Sequence, residues 1–246
     1  TLKDNAAIRH ELLRIALGIW NYIKNSGEHP DSANWALDWV GAIPGKRETR
    51  RFLGPHVLTQ MDVQSGRTFS DTVAYGGWWL DLHPPSGVDA VDEEPCVQHH
   101  FPHLYTIPLR SLHSRNVANL FFAGRNISAT HVAFASTRVM ATCAVMGQAI
   151  GTAAALARTQ AGRGIAEIFN PFEIVRLQQR LLRDDAFLPG LRGSDAADLA
   201  RTAAITASSA TATGAAALLA LAAVSTWSAV TQPAGASAIW CAAPQQ

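Results

Sequence analysis

The 246-residue sequence is sparing in cysteine and in net charge. Its three cysteines, Cys96, Cys143 and Cys241, are scattered. They form neither a CxxC metal pair nor an iron–sulfur run, and an odd, sparse set argues against a disulfide framework. Twenty basic residues against nineteen acidic ones leave a formal net charge of +1. That balance gives no footprint for nucleic acid or for an anionic membrane surface. Residues 202–246 carry no charge at all. The apolar core of that tail, residues 215–224, is short for a bilayer span, and its alanines insert weakly. A signal-peptide pattern is also missing. The chain opens at Thr1 directly into a helical pattern and is read as a fragment or a processed chain, with cytoplasm and periplasm both open.

What is present is best organised around residues 119–158. Leu120-Phe121-Phe122-Ala123 reads as a short buried strand ending at Gly124, and Gly124-Arg125-Asn126 is turn chemistry. Residues 128–136 read as a loop. Residues 137–158 are Ala-rich and free of proline, hence helical. Gly147, Gly151 and Ala155 fall four apart and share one helix face, which suits close packing on a sheet or a cofactor. Strand, glycine turn and small-residue helix form a dinucleotide-binding half-motif with an anion-friendly helix start. An ordinary α/β unit explains the glycines equally well.

Upstream, Asn5–Asn25 is an amphipathic helix with Ile8, Leu12, Ile15, Ile19 and Ile23 on its packing stripe and Asp4 or Asn5 as cap. The run Lys46, Arg47, Arg50, Arg51 is either a solvated basic turn or an anion clamp. Residues 52–61 and 72–82 read as strands. Gly76-Gly77 there would let a ligand approach the backbone, and Trp78-Trp79 reads as a core pair more readily than as a cofactor stack. Asp81 and His83 share a strand face, so the carboxylate could orient the imidazole for proton transfer; a satisfied structural pair is the plainer reading. Residues 84–95 form an acidic surface loop. His99, His100 and His103 lack the carboxylate or cysteine spacing of a metal site, and no metal is assigned. A second amphipathic helix follows over 170–183, with Asn170 as cap, Pro171 in its first turn and Ile174, Leu177 and Leu181 on its stripe.

The segments NLFFAGRNISATHVAFASTRVMATCAVMGQAIGTAAALA, GKRETRRFLGPHVLTQMDV, FSDTVAYGGWWLDLHPPSG and YTIPLRSL together resemble an FAD-dependent oxidoreductase family. That family belongs to the class binding FAD on a glutathione-reductase-like Rossmann domain. The resemblance covers residues 6–199. It implies an α/β (α+β) fold, the C-terminal part of a Rossmann-like FAD domain with a substrate-side mixed sheet and packing helices. The domains would be 1–112 for the first helix and substrate-side sheet, 113–200 for the FAD-contacting part, and 201–246 for a tail. The tail resembles the truncated start of a galactose-binding-like β-sandwich, and partial disorder is expected of it.

The resemblance implies a site as well. Gly124, Arg125 and Asn126 would lie by the ribityl–pyrophosphate region. Thr137, Arg138, Val139, Met140 and Ala141 would approach the pyrimidine end of the isoalloxazine, and Gly147 and Gln148 would pack on the cofactor domain. His131, His83, Arg50 and Arg51 are the catalytic or substrate-contacting candidates. Phe134 stands where many relatives carry a second histidine, which argues against a two-histidine relay. Some relatives are grouped with heterodisulfide-reductase-like proteins bearing iron–sulfur clusters, which the three cysteines here do not support. The class also requires a GxGxxG unit with a following acidic residue, and these 246 residues contain none. The expected partners are therefore a small organic substrate and an N-terminal FAD-binding half, in the same longer protein or in a second chain. A non-enzymatic carbohydrate-associated module is the alternative, motivated by the tryptophans and the tail.

Overall fold

The structure, a computed structural model, describes residues 4–45, 48, 50–159 and 165–198. Lys46 and Arg47 of the basic run and the whole 201–246 tail lie outside the described residues. The chain divides into two compact units, Thr1–Thr49 and Arg50–Gln246.

The first unit holds helix α1, Asn5–Asn25. Its bounds match the sequence periodicity, but its packing does not: no residue of α1 is buried, and Ile8, Leu12 and Ile19 are exposed. The apolar stripe alone said nothing about what would cover it. Asp4 occupies the N-cap position without a capping side-chain hydrogen bond. At the other end Lys24 ties the helix to the following 3-10 turn, Pro30–Asn34, by donating to the Ser32 and Ala33 carbonyls at 2.7 and 2.9 Å.

The second unit carries the core. Residues 52–61 form no strand. Leu58 makes a single parallel bridge to Ala129, and Thr59 then caps a short helix, α2, Gln60–Gln64. The capping box explains the difference: the Thr59 hydroxyl accepts from the Asp62 amide while the Asp62 carboxylate accepts from the Thr59 amide. Thr-x-x-Asp is a helix-start signal that outweighs apolar strand character. The 72–82 run splits into β1, Thr72–Gly76, and β2, Leu80–Leu82. β2 pairs antiparallel with β3, Val97–His99, and β1 with β4, Tyr105–Pro108. The expected mixed sheet is thus two separate two-stranded antiparallel sheets.

Between β1 and β2 the chain passes Gly76-Gly77, where the neighbours are protein. A Cβ on Gly76 would sit 2.3 Å from the Tyr105 hydroxyl, and one on Gly77 2.5 Å from Leu104 Cδ2. The two glycines make room for the Tyr105 and Leu104 side chains, not for a ligand. Residues 120–123 make just one antiparallel bridge, His113 to Phe121. Two flanking hydrogen bonds, Ser114 N to Leu120 O and Phe122 N to Leu112 O at 2.9 Å, are all this partner segment supplies. A strand needs a longer ladder than that.

The expected loop at 128–136 is largely helical: α3 runs His131–Thr137. Its N-cap Thr130 accepts from the Ala133 amide at 3.3 Å. α4 follows at Met140–Thr159 after a break at 138–139, three residues later than the composition suggested. α5, Pro171–Arg183, has the expected Asn170 cap and buried Ile174, Leu177 and Leu181. Its buried Gln178 donates to the Ser70 and Thr72 carbonyls at 2.9 and 3.0 Å, pinning α5 to the start of β1.

Met146, Ala149 and Ala153 of α4 join Val73, Ile107, Leu177 and Leu181 in one core, where each fully buried large apolar side chain contributes about 1.5–3 kcal/mol. By length and composition α4 could also cross a bilayer; its buried stripe is the one a helix presents to a core. Among the described residues the opposite face is bare: a Cβ on Gly147 or Gly151 would meet nothing within 4 Å.

Candidate active site

Three short elements converge where β2–β3 meets the end of α3. In the hairpin Asp81 lies opposite Gln98 and Leu82 opposite Val97, and one step beyond that last pair the same register sets His83 opposite Cys96. Side chains alternate across a strand, so Asp81, His83 and Cys96 all project from one face. Their ligand-type atoms lie within 4.8 Å of one another. His83 Nε2 is 3.6 Å from Asp81 Oδ2, and the Cys96 thiol donates to Asp81 Oδ1. That hydrogen bond to Asp81, with the carboxylate charge behind it, holds the thiol above its usual pKa. His83 Nδ1 is 2.9 Å from the Pro95 carbonyl.

Arg138 locks this hairpin to the α3–α4 junction. Its Nη2 donates to Asp81 Oδ2 at 2.8 Å and to the Asp81 carbonyl at 3.1 Å, and its guanidinium lies 5.9 Å from the centre of the buried Phe134 ring. The position that lacks a histidine therefore supports the arginine. Ser136, also on α3, donates to the Trp78 carbonyl and shares a 2.7 Å hydrogen bond with the Tyr105 hydroxyl. Tyr105 is wholly buried, which pushes its phenol upward from its ordinary pKa. Trp78 and Trp79 stack at 5.4 Å, and His100 packs on Trp79 at 3.8 Å. Trp78 is 47% exposed, so this pair lies at the surface and not in the core.

The glycine turn forms the second part. Gly124 sits at φ +98°, a left-handed conformation that favours glycine. The Phe52 amide donates to the Asn126 carbonyl at 2.8 Å, which brings the Arg50–Arg51 backbone alongside this turn. Arg50 is exposed and Arg51 half-buried. The turn also reaches the start of α4: burial raises the Cys143 thiol pKa, and the charge of Arg125 opposes the rise. Cys143 Sγ lies 3.6 and 3.7 Å from the Arg138 and Thr137 carbonyls.

Of the remaining candidates, Thr137 is fully buried and its hydroxyl has no hydrogen-bond partner among the described residues. Val139 is half-buried, while Met140, at 89% exposed, and Ala141 stand at the open start of α4. Gly147 is on the bare face. Gln148 donates to the Asp184 carbonyl at 3.1 Å and so ties α4 to the end of α5. His131 is exposed at the first position of α3. The structure thus joins His83 to Arg138 through Asp81, and Arg125 to the α4 start. Cys96 escaped the sequence reading because it is fifteen positions from Asp81; a predicted 80–82/97–99 hairpin would have revealed it.

The family model described as "FAD dependent oxidoreductase" matches residues 2–181. The chain belongs to this FAD-dependent oxidoreductase family. No curated protein and no solved structure matches it. Membership makes the chain an oxidoreductase polypeptide with FAD as its cofactor. The observed features are compatible with part of a flavin site: a left-handed glycine turn, a buried Thr137 hydroxyl with no hydrogen-bond partner among the described residues, and exposed Ala144, Gly147 and Gly151 on α4.

Proposed function

We propose that this member of the FAD-dependent oxidoreductase family forms the substrate-side and flavin-facing half of a site for hydride transfer between a small organic substrate and FAD. The observation that carries the reading is the family match through residues 2–181, which includes the Gly124 turn and the whole of α4. Gly124, Arg125 and Asn126, with the backbone from Thr137 to Ala141, would hold the cofactor. Bound flavin supplies the two-electron chemistry. The protein's share is to bind, orient and electrostatically bias it. The first turn of α4 offers partial positive charge, which favours the anionic reduced cofactor.

Around it, Arg50 and Arg51 are the cations suited to an anionic or carbonyl-bearing substrate. His83 and His131 are the groups suited to proton transfer, and Asp81 orients the His83 ring. The adenosine half, with its Gly-rich fingerprint, comes in this proposal from another stretch of polypeptide, in the same protein or in a partner. It is the Rossmann-like half the family implies.

The test is a visible absorption spectrum of the protein purified gently from its source, with and without added FAD. Flavin bands bleached by dithionite are expected once the fingerprint-bearing polypeptide is present. The Arg138→Gln variant should hold flavin more weakly. A preparation containing both halves that stays colourless with excess FAD would sink the proposal.

A further inference from the structure

The Asp81, His83 and Cys96 cluster contains a thiol, an imidazole and a carboxylate on one face of a two-stranded hairpin; no step of the proposed flavin chemistry uses the thiol, and with an ion on His83 the proton transfer proposed above falls to His131. We infer that these three side chains form a site for a single Zn²⁺, with the fourth position left to water or an oxygen-bearing ligand.

Four observations carry it. The three donor atoms already lie within 4.8 Å of one another, so small rotamer changes bring them onto one ion. The donor set is the one zinc takes: thiolate, imidazole nitrogen and carboxylate oxygen, with three protein ligands in open sites. The outer contacts are those of a ligating histidine. His83 Nδ1 faces the Pro95 carbonyl at 2.9 Å, which fixes Nδ1 as the protonated nitrogen and turns the Nε2 lone pair towards Asp81 and Cys96. Finally, Arg138 grips Asp81 Oδ2 at 2.8 Å, which orients the carboxylate with Oδ1 towards Cys96.

The charges balance. The ion displaces the thiol proton to solvent, and a dication between thiolate and carboxylate is neutral overall. The Arg138 charge acts against the ion and moderates its affinity. His83 is 48% exposed, so the ion has an open route in. His99, His100 and His103, the histidines that draw the eye in the sequence, do not join this group.

The experiment titrates the reduced, full-length chain with Co²⁺ as a zinc surrogate. One equivalent should bind, with a thiolate-to-cobalt charge-transfer band and tetrahedral d–d bands that Zn²⁺ then bleaches. Cys96→Ser should abolish the charge-transfer band and weaken binding at least tenfold. His83→Gln, which keeps the thiol, should retain a weakened band with at least tenfold lower affinity. Cys143→Ser and Cys241→Ser should leave both unchanged, and far-ultraviolet circular dichroism checks each fold. A band that survives Cys96→Ser, that follows Cys143 or Cys241, that is indifferent to His83→Gln, or that never forms would overturn the assignment. None of these readouts needs flavin, so this inference and the flavin proposal fail separately.

Discussion

Asp62 shows how one buried carboxylate can organise its surroundings. Burial would raise its pKa, yet the net shift is downward, because the Thr59 amide and hydroxyl, Arg67 and the charge of His56 all favour the ionised form. Arg67 donates at 2.9 Å; His56 Nε2 sits at 3.4 Å without hydrogen-bond geometry. A folded pKa below the unfolded value of about 3.9 means a contribution present above that pH and lost as pH falls through the folded value. Asp62→Asn should therefore cost about 1–2 kcal/mol at neutral pH. It should also flatten the fall in stability below roughly pH 4. Urea titrations of both proteins at several pH values check this; parallel pH curves would refute the account.

At the scale of elements, what could be read from the sequence was whatever rests on local chemistry. The bounds of α1, the Asn170 cap and stripe of α5, and the turn at Gly124 all follow from short-range signals. Misreadings came where a cap competed with apolar character or where the partner was remote. Thr130 and Thr59 each start a helix in a stretch read as loop or strand. The 120–123 run looked like a strand, but strand formation is decided by a neighbour's ladder, which no single segment reveals. The site divides in the same way. Asp81 and His83 are visible as a two-residue spacing, whereas Cys96 and Arg138 reach Asp81 only through a hairpin register and a helix junction. The Thr130 cap is testable directly. Thr130→Ala should lower stability by about 1 kcal/mol, and Thr130→Ser should recover most of it. Equal denaturation midpoints for all three proteins would contradict the assigned helix start.

For the whole molecule, the division into units has a thermodynamic reading. Among the described residues the buried apolar cluster is drawn from Leu58 to Leu188, all within the second unit. A chain beginning at Arg50 should accordingly keep a single cooperative unfolding transition, within about 1 kcal/mol of the full protein. Calorimetry of the two would show it, and a broad, non-cooperative melt of the shortened chain would mean that residues 1–49 belong to the folding unit. The core itself crosses residue 112: β1 and β4 from the first sequence region pack with α4 and α5 from the second. Residues on both sides of position 112 thus contribute to one core.

The bare face of α4 bears on the lifetime of the protein. Glycine inside a helix costs about 1 kcal/mol relative to alanine. Gly147 and Gly151 incur that cost twice, with no described neighbour near enough to benefit from their smallness. About 2 kcal/mol corresponds to roughly a thirtyfold larger unfolded fraction. Whatever fits against those glycines stabilises the folded form by mass action. Copies that find it should persist in the cell, and copies that do not should be the first taken by proteases, so that abundance itself would track assembly.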